Sequence, residues 1–287
     1  MHSVMLRNFD GLIDMRVGVV HGRLALLESD AAFFARPPTA FVPAEGLMSI
    51  LDNLDSLQCG ERIEGPLDWD IPFPCPSQIF AVGLNYRKHA HEMGLQIPTV
   101  PMVFTKFPSA IGRPNATISL PGPTTDWEAE LVIVIGKNAR DLSPSRALGA
   151  VAGYMVGQDY SERTVQMSNN PAQFSLGKSF ENFAIAGPYL TTIDEVADPQ
   201  SLTITCEVNG ELMQSESTRD MAFSVAEVVS YISSVCELRR GDLIYTGSPA
   251  GVGQGQNPPR FLVDGDEVVT EIRGLGSIRN TFSGESK

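Results

Sequence analysis

The chain has 287 residues, 43% hydrophobic and 19% charged, enough for one large globular unit with an ample core and a smaller companion. Its 34 acidic and 21 basic residues give a formal net charge of −13, which repels phosphate backbones and argues against a nucleic-acid partner; an anionic small molecule stays admissible if its site supplies cations or a metal. No apolar run approaches a bilayer span, and the opening Met1-His2-Ser3-Val4 lacks the pattern of a secretory leader, so a cytoplasmic protein without a membrane partner is expected.

In chain order, the apolar runs Arg16-Val17-Gly18-Val19-Val20 and Arg23-Leu24-Ala25-Leu26-Leu27 flank a His21-Gly22 turn and predict a hairpin. A helix is expected over 45–54. The proline-rich stretch from Pro66 to Pro76 cannot be the interior of an element. It divides a small N-terminal α/β domain, residues 1–70, from a larger domain, residues 71–287. Nothing in the smaller one suggests chemistry.

Strands are expected over 77–82, 102–106, 128–135, 202–208 and 242–246, all rich in β-favouring residues. Asn209-Gly210 between 202–208 and 211–214 is a strong two-residue hairpin signal. From Phe223 to Glu237, apolar residues recur at helical spacing, which predicts a packed helix. Strands in series with intermittent helices indicate an α+β architecture, predominantly β, rather than a doubly wound parallel sheet. The cysteines (Cys59, Cys75, Cys206, Cys236) are scattered without a Cys-x-x-Cys pair, and buried free thiols are expected.

Candidate chemistry begins at Asp126-Trp127-Glu128-Ala129-Glu130, which runs into the apolar Leu131 to Gly136. In a strand, Glu128 and Glu130 share a face. Two neighbouring carboxylates repel unless something positive lies between them, and a hard ion such as Mg²⁺ or Mn²⁺ suits all-oxygen ligation. Taken alone, a solvated strand start is the simpler account. Asp159, after the strand-like Gly153 to Gly157, is either a third ligand or a plain turn residue. The segment from Asn85 to Gly94 reads as a short helix closed by glycine, with His89 and Glu92 on one face. A histidine held by a carboxylate is a competent general base near neutral pH, although a mixed-charge surface helix fits as well. Lys106 and Lys178 stand beside apolar or small residues and could neutralise an anion, or be ordinary surface lysines. Thr246 to Gly253 is glycine-rich but is neither a Walker loop nor a dinucleotide fingerprint; its amides and Ser248 could hold a carboxylate.

The order of these segments is more specific than any one of them. Gly83-Leu84-Asn85-Tyr86 with His89 and Glu92-Met93, Phe104-x-Lys106, Glu128-x-Glu130, Asp159-Tyr160-Ser161-x-Arg163-x-x-Gln166, Gly177-Lys178-Ser179-Phe180 and Thr246-Gly247-Ser248-Pro249-x-Gly251-Val252-Gly253 together resemble the fumarylacetoacetate hydrolase superfamily. The N-terminal extension and the segment from Gly187 to Leu190 look closest to bacterial, acylpyruvase-like members. The resemblance implies a rolled, mixed β fold, a homodimer, and Mg²⁺ or Mn²⁺ held by Glu128, Glu130 and Asp159. It implies that the segment carrying His89 and Glu92 closes over the substrate and activates a water, with Lys178 near the resulting enolate. Lys106, Arg163, Gln166 and Ser248 fall at positions that line the substrate site. Many members have Arg at Leu84, Asp at Thr164 and Thr at Ser248, and the first difference removes a potential carboxylate contact.

The function expected from this resemblance is metal-dependent hydrolysis of a C–C bond in a small anionic 2,4-dioxo acid. The alternatives are a 2-oxo acid decarboxylase of oxaloacetate type, an isomerase or hydratase of hydroxymuconate-type 2-oxo-enoic acids, and a non-catalytic metal- or ligand-binding homologue.

Overall fold

The computed structural model describes residues 58–284, preceded by the strands Met5–Asn8, Gly11–Val20, Arg23–Glu28 and Ala31–Arg36. All four of these strands join a mixed twelve-stranded sheet. Its central path runs Gly11–Val20, Ala184–Thr192, Val151–Asp159, Ala129–Ile135, Leu243–Tyr245, Ile79–Gly83 and Met102–Thr105. Tyr189 pairs with Gly18 and Leu190 with Val17, so strands from either side of the anticipated boundary at residue 70 share one sheet. The Val20–Arg23 register shows the expected N-terminal hairpin. The His21-Gly22 turn and the helix anticipated at 45–54 lie outside the described residues.

The central strands are buried along their whole length because both sheet faces are covered. Along Ala129–Ile135 the side chains alternate between two cores. Leu131, Ile133 and Ile135 enter the larger cluster, and Val132 and Val134 enter the one on the opposite face. This alternation explains why the sequence reads as an unbroken apolar run and not as every second residue. On the larger-cluster side lies a five-stranded sheet ordered Glu211–Ser217, Thr203–Val208, Glu267–Ile272, Gly276–Ser283 and Thr117–Ser119. It contributes Ile204, Cys206, Val268, Ile272 and Ile278 to that core, while the other face is more exposed, as in a one-sided antiparallel sheet.

Asn209 and Gly210 turn the hairpin with φ of 53° and 77°, the two positive values that a tight primed turn requires. The helix Val225–Val235 buries Val225, Val228, Val229 and Ile232, and begins at a Ser224–Glu227 capping box. Among the described cysteines all are free; Cys206 is buried, Cys236 half-buried, and Cys75 exposed, against expectation. Cys75 lies in the proline-rich loop, where no element covers it. No helix among the described residues is long and apolar enough to cross a membrane.

Candidate metal centre and active site

The site forms where two paired central strands end. Glu128 and Glu130 share the face that continues into Val132 and Val134. The Asp159 N–H donates to the Glu128 carbonyl at 2.9 Å, which sets Asp159 opposite Glu128. The three carboxylates are buried and each offers an oxygen within 4.8 Å of the others.

Buried charges are costly unless compensated, and the compensation here is uneven. Lys178 Nζ donates to Glu128 Oε2 and to Asp159 Oδ2, both at 2.7 Å. Arg163 Nη1 faces Glu128 Oε1 at 2.7 Å. Lys106 donates to Asp159 and to the Lys178 carbonyl. Glu130 pairs with no cation among the described residues; it accepts the Gly247 N–H at 2.6 Å. Gly247 has φ +101, and a Cβ there would meet Asn85 Cβ at 2.7 Å, so only glycine brings this amide in.

The carboxyls titrate accordingly. Burial alone would raise Glu128, but Lys178, then Arg163 and His89, hold it down to about 2. Glu130 is pushed well above the usual range by burial, then by Asp159 and Glu128. Lys106 is lowered by burial despite Asp159, whereas Asp159 and Glu128 outweigh burial at Lys178 and raise it. The electrostatic need is for positive charge beside Glu130. A hard divalent cation among these three carboxylates would meet it, so the residues present fit Mg²⁺ or Mn²⁺.

Asp126, two residues before Glu128, is an unforeseen part of the site. It is fully buried and accepts the N–H groups of Gly253 at 2.6 Å and Gln254 at 3.0 Å, and Arg163 Nε at 2.8 Å. It ties the 253–254 backbone to the strand that carries Glu128 and Glu130. Asp126 and Glu128 hold the Arg163 guanidinium charged against the burial that opposes it. The signal was present in the Asp-x-Glu-x-Glu alternation, which continues one face backward by a further residue pair.

The short helix Arg87–Glu92 closes one side of a cavity of about 80 Å³. His89 is on its wall, with Nδ1 3.1 Å from Glu92 Oε2. Glu92 Oε1 in turn accepts the Gly251 N–H at 2.9 Å. With Nδ1–H given to Glu92, the lone pair of the imidazole is on Nε2. Asn85 anchors the base of this segment: Nδ2 donates to the Thr246 carbonyl at 2.7 Å, and Oδ1 accepts the Phe223 N–H at 2.8 Å.

Glu128, Arg163, Gln166, Lys178 and Ser248 share the cavity wall with His89. Glu92 stands behind His89, and Arg163 Nη1 also donates to Gln166 Oε1 at 2.9 Å. Lys106 is the one expected wall residue placed elsewhere. Its side chain has no exposed surface and is taken up by Asp159 and the Lys178 carbonyl, so it does not line the cavity. Gln254 adds a further polar side chain, and much of the remaining wall is apolar, including Leu84, Met93, Phe104 and Phe174.

Residues 78–283 match the family model for the fumarylacetoacetate hydrolase C-terminal domain. The chain is 45% identical over 211 residues to oxaloacetate tautomerase FAHD2B, mitochondrial, of Bos taurus, covering 73% of this chain and 67% of that protein. It is 43% identical over 224 residues to 2,4-didehydro-3-deoxy-L-rhamnonate hydrolase of Sphingomonas sp. (strain SKA58), covering 77% and 78%. Among solved structures, fumarylacetoacetate hydrolase from the psychrophilic Exiguobacterium antarcticum superposes with a TM-score of 0.82 at 32% identity, over 95% of this chain and all of that one. With the same ordered motifs converging on one buried carboxylate cluster, the chain belongs to the fumarylacetoacetate hydrolase family.

Proposed function

We propose that this chain is a divalent-metal-dependent hydrolase that cleaves the C–C bond of a 2,4-dioxo acid of acylpyruvate type. The observation that carries the reading is that His89, paired with Glu92 behind it, shares a cavity wall with Glu128, one of the three clustered carboxylates Glu128, Glu130 and Asp159. Glu128, Glu130 and Asp159 would hold Mg²⁺ or Mn²⁺, which would supply Lewis acidity at the 2-oxo acid end. His89 Nε2 takes a proton from water, while Glu92, itself fixed by Gly251, holds the ring. The water oxygen adds to the carbonyl carbon C4, and the C3–C4 bond breaks with its electron pair moving to C3 and the 2-oxo oxygen. Lys178 faces that developing negative charge. The proton held by His89 is then delivered to C3, which completes a 2-oxo acid and a carboxylic acid. The apolar wall of Leu84, Phe104 and Phe174 suits the departing acyl group.

A second reading is keto–enol isomerisation of a 2-oxo acid, favoured by the 45% identical relative named oxaloacetate tautomerase. There the same His89 would move a proton at carbon, with no water added.

Both are tested by assaying acetylpyruvate cleavage and oxaloacetate tautomerisation in chelator, then after adding back Mg²⁺ or Mn²⁺. Metal-restored cleavage of acetylpyruvate is expected, with His89→Ala lowering it roughly 10²–10⁴-fold while metal binding persists. Tautomerisation without any C–C cleavage would remove the hydrolytic reading and leave the second.

A further inference from the structure

Gln214 is fully buried on the strand Glu211–Ser217, which belongs to the second sheet and carries no residue of the site described above. Its amide nevertheless reaches Ser248 on the cavity wall, and its orientation is decided by chemistry alone. The atom facing the Ala129 N–H, 3.0 Å away, must be an acceptor and is therefore Oε1. The atom facing the Pro249 carbonyl, 2.8 Å away, must be a donor and is therefore Nε2. A flipped amide would set donor against donor and acceptor against acceptor at both contacts. The second hydrogen on Nε2 then goes to the remaining neighbour, Ser248 Oγ, at 2.8 Å.

This arrangement has a consequence for Ser248. Its oxygen already accepts from Gln214, and among the described residues no acceptor takes its own hydrogen. Ser248 lies on the cavity wall. Without the Gln214 NH₂, the nearby Pro249 carbonyl would be open to the serine hydroxyl. We propose that Gln214 is a positioning residue: by donating to Ser248 Oγ it orients the serine so that its hydroxyl hydrogen is given to an acceptor oxygen of the bound ligand. The same amide anchors Ala129, which stands between the metal-site residues Glu128 and Glu130. Gln214 thereby couples the polarity of the Ser248 loop to the strand that holds the carboxylates. The inference rests on the reading of this cavity as a 2-oxo acid site, but not on which reaction follows.

The test is a double-mutant cycle on the Mg²⁺-loaded full chain, in a His89→Ala background so that binding is read without turnover. The probes are acetylpyruvate, oxaloacetate and pyruvate, with the cycle run on whichever binds most tightly. Ser248→Ala and Gln214→Glu are each expected to weaken that ligand roughly tenfold to hundredfold, the range for losing a hydrogen bond to a charged acceptor. The double variant is expected to be no weaker than Ser248→Ala, and Ser248→Thr to bind like the parent. Gln214→Met replaces Gln214→Glu in the cycle if the latter does not fold, since it also lacks the NH₂ donor. Equal weakening by the Gln214 substitution with and without the serine hydroxyl would mean a purely structural role and overturn the proposal. Binding of none of the probes would overturn it together with the 2-oxo acid reading. Binding that follows the cycle, with no C–C cleavage by the protein carrying His89, would support it and count only against hydrolysis.

Discussion

Replacing Glu130 by Gln is expected to stabilise the metal-free protein while removing its response to metal. The oxygens offered by Glu128, Glu130 and Asp159 lie within 4.8 Å of one another. At that separation and an effective dielectric of about 20, each carboxylate pair repels by about 3.5 kcal/mol. Lys178 and the Gly247 N–H offset part of this at Glu130, and protonation of Glu130 caps the remainder. About 1–2 kcal/mol should survive at neutral pH, or about 2–8 °C in Tm. A glutamine keeps the Gly247 contact through its oxygen and turns its NH₂ toward the neighbouring carboxylates.

The pH dependence has a definite sign. The folded-state pKa of Glu130 is raised, so its contribution to stability is present below the ordinary carboxylate range and lost as pH rises through the folded value. The advantage of Glu130→Gln in chelator should therefore widen from pH 5 to pH 8. Metal inverts the order: at one hundred times Kd the wild type gains about 2.7 kcal/mol, and the variant, short of one ligand, gains much less. Thermal melts of both proteins in chelator and in Mg²⁺ at several pH values read all of this. A variant that melts below wild type in chelator at pH 8, or that retains the full metal shift, would refute the reasoning.

Three further outcomes are expected. Arg163→Met leaves Asp126 and Glu128 short of their shared cation and should cost about 3–5 kcal/mol in urea unfolding; Arg163→Lys recovers only part, because an ammonium cannot span both carboxylates. A loss for Arg163→Met well under 1 kcal/mol would count against that pairing. Ser224→Ala breaks the capping box and should cost about 1 kcal/mol. Glu227 is held below the usual range by its hydrogen bonds to Ser224, so this contribution is present above the ordinary Glu pKa and fades as pH falls through the lowered one; variant and wild type should converge in acid. Cys206, whose thiol burial pushes up to about 12, should stay unmodified by iodoacetamide at pH 8 in native protein while the exposed Cys75 alkylates, as peptide mapping would reveal; prompt labelling of Cys206 would contradict its burial.

Local sequence rules carried the hairpin at Asn209-Gly210, the packed helix after Ser224 and the central strands, because turn dihedrals and side-chain periodicity are properties of neighbouring residues. They also placed Glu128 and Glu130 on one face, and His89 within reach of Glu92. Motif order linked these segments to Asp159, Lys178, Arg163 and Ser248 before any distance was known. What stayed hidden were contacts between residues distant in the chain. Asp126 looked like the start of a strand until the 253–254 backbone and Arg163 closed on it. Lys106 had the residue type of a cavity cation, yet Asp159 and the Lys178 carbonyl take it up. Gln214 sat in an ordinary hairpin strand, and only the packing of the second sheet against the first brought its amide to Ser248 and Ala129. The sequence by itself determined the fold class, the strand that carries Glu128 and Glu130, and the His–Glu pair, because each depends on short-range spacing or on an ordered set of motifs. Tertiary structure alone decided which cation meets which carboxylate and which way a buried amide faces, because those depend on long-range hydrogen-bond partners that no local pattern specifies.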